Sequence, residues 1–81
     1  MQDFTTMAAF FKNSKNVAER LFSGELTEAD CKRLPLGDSG FHMEARLGRM
    51  NARVYARVLL IETATDDAIL AYDYNRDVIA V

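Results

Sequence analysis

Few residues in this chain have the types and spacing that chemistry needs. Cys31 and His42 are the only cysteine and the only histidine among 81 residues. A cysteine with a histidine can generate a thiolate nucleophile, provided a third group orients the imidazole. Here Cys31 lies in a short amphipathic stretch, where a lone cysteine ordinarily serves as a small buried hydrophobe. His42 alternates with Phe41 and Met43, which predicts a solvated position on a strand. One cysteine and one histidine also fall short of a zinc site. Asp66 and Asp67, with Glu62 or Asp73, could offer oxygen ligands, but they lack the spacing and the glycine of a calcium-binding loop. Gly37 and Gly40 form no phosphate or dinucleotide fingerprint. The expectation is a non-enzymatic protein with no metal and no cofactor.

The most informative cluster is Arg53-Val54-Tyr55-Ala56-Arg57, with Tyr72 and Tyr74 two residues apart further on. If Arg53, Tyr55, Arg57, Tyr72 and Tyr74 share one sheet face, they form a patch of the residues that dominate protein-interface hot spots. Arginine and aromatic side chains on a sheet can also stack single-stranded bases. The plainer alternative packs the tyrosines under a helix and pairs the arginines with Asp73 and Asp77.

These residues sit in the stretch that organises the chain, Ala52 to Tyr74. Ala52, Val54, Ala56, Val58 and Leu60 alternate with Arg53, Tyr55, Arg57, Leu59 and Ile61, the pattern of a half-buried strand. Thr65-Asp66-Asp67 interrupts it as a turn, and Ile69 to Tyr74 resumes with Leu70, Tyr72 and Tyr74 on one side. Phe41 to Leu47 also alternates, and Gly48-Arg49-Met50-Asn51 would serve as the hairpin loop before Ala52. Asn75-Arg76-Asp77 is a further turn, leading to a final apolar strand, Val78-Ile79-Ala80-Val81. A helical reading competes over residues 42–62, because Met43, Leu47, Met50, Val54, Val58 and Ile61 recur at three or four. Gly48, Asn51 and the β-branched residues oppose it.

The first half is helical in pattern. Phe4, Met7, Ala8, Phe11, Ala18, Leu21 and Phe22 lie on one stripe, which predicts a single helix over residues 4–23, stopped by Gly24. Two helices divided near Asn16 are the alternative. Thr27 then caps a second, short helix with Glu28 and Asp30 in its first turn. Pro35 ends it, and Leu36 to Gly40 forms a loop. The fold class is therefore α+β: one long and one short helix on an antiparallel meander of three or four strands, with a small all-α bundle as the alternative.

Length and composition bound the rest. Eighty-one residues make a single domain, 1–81, with a helical half over 1–36 and a strand-rich half over 41–81. The net charge of −2 is unevenly spread: residues 41–60 carry four arginines and one glutamate, and residues 61–81 carry five acidic residues and one arginine. That balance disfavours nonspecific binding to nucleic acid or an anionic membrane. A lone cysteine excludes an intrachain disulfide, and no apolar run approaches the ~20 residues of a membrane span. A cytoplasmic location is expected.

A short acidic domain without a catalytic set suits a small accessory protein: an inhibitor, an immunity protein or a regulatory subunit, of the kind mobile elements and phages encode. The expected partner is another protein, with single-stranded nucleic acid as the alternative. A homodimer is also expected, with Leu59, Ile61, Val78, Ile79 and Val81 as its interface, because both sheet faces carry large apolar side chains and an uncovered edge invites pairing.

Overall fold

A computed structural model describes residues 4–75. Helix α1 spans Phe4–Ser23, and a single turn of 3-10 helix follows at Ala29–Cys31. Four strands, β1 (Leu34–Pro35), β2 (Phe41–Met50), β3 (Arg53–Glu62) and β4 (Asp67–Tyr74), pair antiparallel in the order β1-β2-β3-β4. The fold is α+β, with α1 lying across one face of the sheet, and the all-α alternative is excluded.

Helix α1 is one unbroken element, although Asn13 and Ser14 interrupt its apolar stripe. Both turn their polar groups back on the helix: Ser14 Oγ donates to the Phe10 carbonyl at 2.6 Å, and Asn13 Nδ2 donates to the Ala9 carbonyl at 2.8 Å. Ser14 is thereby satisfied without water and sits fully buried. The buried face runs through Phe10, Ser14, Ala18 and Leu21, while Phe11 and Phe22 sit at its margin, 46% and 38% exposed. This differs from the sequence stripe, which centres on Phe11. Gly24, at φ 85°, ends the helix in the left-handed region, and the Leu26 amide returns to the Arg20 carbonyl.

The short second helix is reduced to the 3-10 turn. Its entry keeps Thr27 as the expected cap, and Asp30 reciprocates: the Asp30 amide donates to Thr27 Oγ1, and the Thr27 amide donates to Asp30 Oδ2. Hydrogen bonding from Thr27, its backbone amide first and then its side chain, holds the Asp30 carboxyl below its ordinary range. Leu34 and Pro35 then join the sheet edge rather than simply ending a helix, pairing with Met43 and His42. Proline is tolerated there because an edge strand can leave one amide unused.

The turns also differ from expectation. Strand β2 runs through Gly48 to Met50, and the hairpin closes on two residues, Asn51 and Ala52, at φ 51° and 63°. Two consecutive positive φ values are the signature of the type I′ turn, whose twist matches that of paired strands. The next loop is Thr63 to Asp66, where the Glu62 carbonyl accepts from both Thr65 and Asp66 amides. The short edge strand β1, Leu34–Pro35, brings the sheet to four strands; the expected strand at Val78–Val81 lies outside the described residues.

Alternation within β3 sets the two faces. Ala56, Val58 and Leu60 are fully buried and meet Phe10, Ala18, Leu21, Met43 and Ala45. Burying a side chain the size of Leu60 or Val58 contributes about 1.5–3 kcal/mol. The alanines at 18, 45 and 56 keep the helix-side surface low.

Candidate interaction surface

The face of the sheet opposite α1 carries the second set of side chains. In register across it stand Glu44, Leu59 and Ala71; then Arg46, Arg57 and Asp73; then Gly48 and Tyr55; then Met50 and Arg53. Arg57 and Asp73 form a fork: Arg57 Nε donates to Asp73 Oδ1 at 2.8 Å and its Nη2 donates to Oδ2 at 2.9 Å. A two-pronged arginine–carboxylate pair fixes direction as well as distance. The hydrogen bond to Asp73 raises the pKa of a guanidinium that is already permanently charged. Arg57 Cζ also lies 5.8 Å from the centre of the Tyr55 ring, a cation–π distance.

Tyr55 in turn depends on Gly48. A methyl group on Gly48 would stand 2.6 Å from Tyr55 Cζ and 2.7 Å from its hydroxyl oxygen. The hydroxyl end of the ring therefore lies over the glycine of the neighbouring strand. Gly48, Tyr55, Arg57 and Asp73 thus form one chain of contacts across three strands. Arg46 and Arg53 are exposed beside it, and among the described residues neither enters an ion pair.

Of the five residues expected to form a patch, the structure brings Arg53, Tyr55 and Arg57 together and separates Tyr72 and Tyr74 from them. Tyr72 stands opposite buried Val58 and Tyr74 opposite Ala56, on the helix side. Tyr72 meets the Phe11 ring edge-on at 6.5 Å, and Tyr74 meets Phe22 at 5.4 Å. The arginine–Asp73 pairing of the plainer alternative is present together with Tyr55 on the open face. Arg46 and Gly48 complete the patch and are not singled out by sequence reasoning; Gly48 facing Tyr55 across a hairpin is the signal that points to them.

Leu59 is half-buried in the outer row, and Ile61, in the same row, is only 7% exposed. Val78, Ile79 and Val81 lie outside the described residues. His42 is a correction: it is 6% exposed rather than solvated, and its Nδ1 is 2.9 Å from Thr63 Oγ1. Its cross-strand neighbours are Ile61, itself buried, and Pro35.

The sole thiol is far from reactive. Cys31 is fully buried with Phe10 and Leu36 in the helix-side core. Burial raises its pKa, and the carboxylates of Asp30 and Glu28 push it the same way. The His42 ring bonds Thr63, on the other side of the sheet, so the two do not form a nucleophile and base. Among the described residues no three acidic, histidine or cysteine side chains gather as metal ligands, and no helix is long and apolar enough to cross a membrane. No family model, curated protein or solved structure matches the chain.

Proposed function

We propose that this chain is a small non-enzymatic interaction module, an inhibitor or regulatory accessory protein, that binds a protein partner through the open sheet face. Arg53, Tyr55 and Arg57 carry the contact, with Arg46 beside them. The single observation behind this reading is the Gly48–Tyr55–Arg57–Asp73 chain of contacts. It holds an aromatic ring and a guanidinium in fixed positions before any partner arrives. Side chains ordered in advance lose less entropy on binding, at about 0.5–1.5 kcal/mol each. Exposed Arg46 and Arg53 favour a partner surface that offers carboxylates.

The test is affinity capture followed by reconstitution from purified components. Tyr55→Ala and Arg53→Glu should each weaken the reconstituted complex at least about tenfold, as hot-spot substitutions do. A partner that binds both variants as well as the wild type would refute the assignment. Turnover of a defined substrate, abolished by Cys31→Ala or His42→Ala, would replace it with an enzyme.

Tyr55 flanked by Arg46 and Arg53 also supports a second reading, in which the face stacks a base of single-stranded nucleic acid. One aromatic ring gives a smaller platform than the three tyrosines together would have. Each phosphate contacted contributes about −0.7 to the slope of log affinity against log salt. Arg46→Ala with Arg53→Ala should then flatten the slope by about one unit or more. Absence of single-strand binding at low salt removes this reading and leaves the first intact.

A further inference from the structure

A cleft of about 520 Å³ opens between α1 and the β1 edge of the sheet, on the helix side. Asn13, Asn16, Val17 and Arg20 recur at spacings of three and four, so one face of α1 forms its wall. Leu34, Leu36 and Met43 form its floor, the last two at only 7% and 3% exposure. The wall is mostly polar and the floor wholly apolar.

Most of the wall's hydrogen-bonding capacity is unspent. The Asn16 side chain makes no hydrogen bond among the described residues. Asn13 gives one amide hydrogen to the Ala9 carbonyl at 2.8 Å and keeps the other. Arg20 meets Glu25 at 3.9 Å, with both side chains more than half exposed, and a pair so placed holds a guanidinium weakly. One cation and two amide groups therefore stand in a row above an apolar floor.

We propose that this cleft binds a small monocarboxylic acid with an apolar body, its carboxylate on Arg20 and Asn16 and its hydrocarbon over Leu34, Leu36 and Met43. A guanidinium offers a single positive charge, and its fork matches the two oxygens of a carboxylate. A phosphate monoester would bring nearly two negative charges to a site with one cation. The volume agrees: small molecules bind in clefts of roughly 300–1,000 Å³ that are mainly apolar, with a few placed polar groups. An extended peptide fits less well. Strand β1 is two residues long and its second residue is proline, which leaves no ladder to extend. A ligand here touches both α1 and the sheet, so it favours the packed state of the two. The cleft lies on the opposite side of the sheet from the face assigned to a protein partner, so both can be occupied together.

Titration of the full chain with octanoate, followed by the NMR signals of its backbone amides, tests it. The Val17, Leu36 and Gly37 signals should shift and saturate, with a dissociation constant of about 1 mM or tighter for a ligand of this size. Octanamide, which keeps the body and loses the charge, should bind at least about tenfold more weakly. Arg20→Gln should abolish that difference, and Arg53→Glu, on the open face, should leave octanoate binding unchanged. No saturable shift at up to about 10 mM, as a cleft filled from within the same chain would give, overturns the proposal. So does octanamide binding as tightly as octanoate, undiminished affinity in Arg20→Gln, or shifts confined to residues away from the cleft. Octyl phosphate binding more tightly than octanoate would overturn the choice of a carboxylate.

Discussion

Gly48→Ala should destabilise the protein, against the ordinary rule for strands. Replacing an interior strand glycine by alanine usually stabilises by about 0.5–1 kcal/mol, because glycine loses more freedom on folding. Here the new Cβ would lie 2.6 Å, 2.7 Å and 2.9 Å from three atoms of the Tyr55 side chain. Real contacts do not approach so closely, so the ring must move. Tyr55 has two side-chain torsions, and swinging away separates it from Arg57, forfeiting a cation–π contact of about 0.5–1 kcal/mol. It also uncovers the strand beneath. Overpacking of this kind costs about 1–3 kcal/mol. The net expectation is a loss of about 1–2 kcal/mol, or roughly 4–16 °C in Tm for a domain of this size.

The same substitution in a Tyr55→Ala background should change sign. With no ring above it, the alanine introduced at this position keeps only its advantage over glycine and should stabilise by about 0.5–1 kcal/mol. The coupling between the two sites is then about 2 kcal/mol, within the range of residues in contact. Urea unfolding of the four proteins in the cycle measures it. Gly48→Ala that is neutral or stabilising in the wild type would refute the reasoning. So would an equal loss in both backgrounds, because the cost would then not come from the ring.

Ala52 adopts φ 63° in the type I′ turn, a conformation costing an L-residue about 1–2 kcal/mol, so Ala52→Gly should stabilise by about 0.5–1 kcal/mol after the glycine entropy term; an unchanged or lowered Tm would count against that turn. Leu60, fully buried between α1 and the sheet, should cost about 2–5 kcal/mol as Leu60→Ala, and a urea midpoint near that of the wild type would mean the core is misplaced. Burial raises the Cys31 pKa, so its contribution to stability is complete below the unfolded thiol pKa of about 8.5 and declines as pH rises above it. Cys31→Ala should flatten that alkaline decline, and thiol reagents at neutral pH should label Cys31 only as fast as the protein opens. Immediate labelling of the folded protein would contradict its burial.

What was legible in the sequence was the parity within each element. The alternation of Val54 to Leu60 against Arg53 to Ile61 assigns two faces to β3, and the fold keeps them. The relative phase of neighbouring strands is another matter. It depends on turn length and on the irregularity between Leu60 and Ile61 opposite β4, and neither has a local signal strong enough to read. Tyr72 and Tyr74 therefore share a face with each other but not with Tyr55. The turn at Asn51-Ala52 was hidden because its second residue is alanine rather than glycine. Phe11 drew the helical stripe toward itself by size, whereas the true centre passes through Ser14, whose hydroxyl is silenced by the Phe10 carbonyl. Hydropathy cannot register a polar group that the helix backbone satisfies. Alternation places His42 in the outer row but does not show its burial, which comes with pairing to two other strands that have no local signal.

Strand β3 places stability and recognition on alternate residues of one segment. Ala56, Val58 and Leu60 hold α1, and Arg53, Tyr55 and Arg57 face the other way. Changes to Arg53, exposed and outside any ion pair among the described residues, should leave the core untouched and report on binding alone. Tyr55 and Arg57 are less separable, because the first rests on Gly48 and the second grips Asp73 from the adjoining strand. Their cross-strand contacts stiffen the same three strands that carry the core. A surface built this way resists collapse when uncovered, since its aromatic and its charge are already held by the sheet. It also limits how the surface can change: Arg46 and Arg53 can be exchanged freely to suit a different partner, while Tyr55 can change only together with Gly48, and Arg57 only together with Asp73.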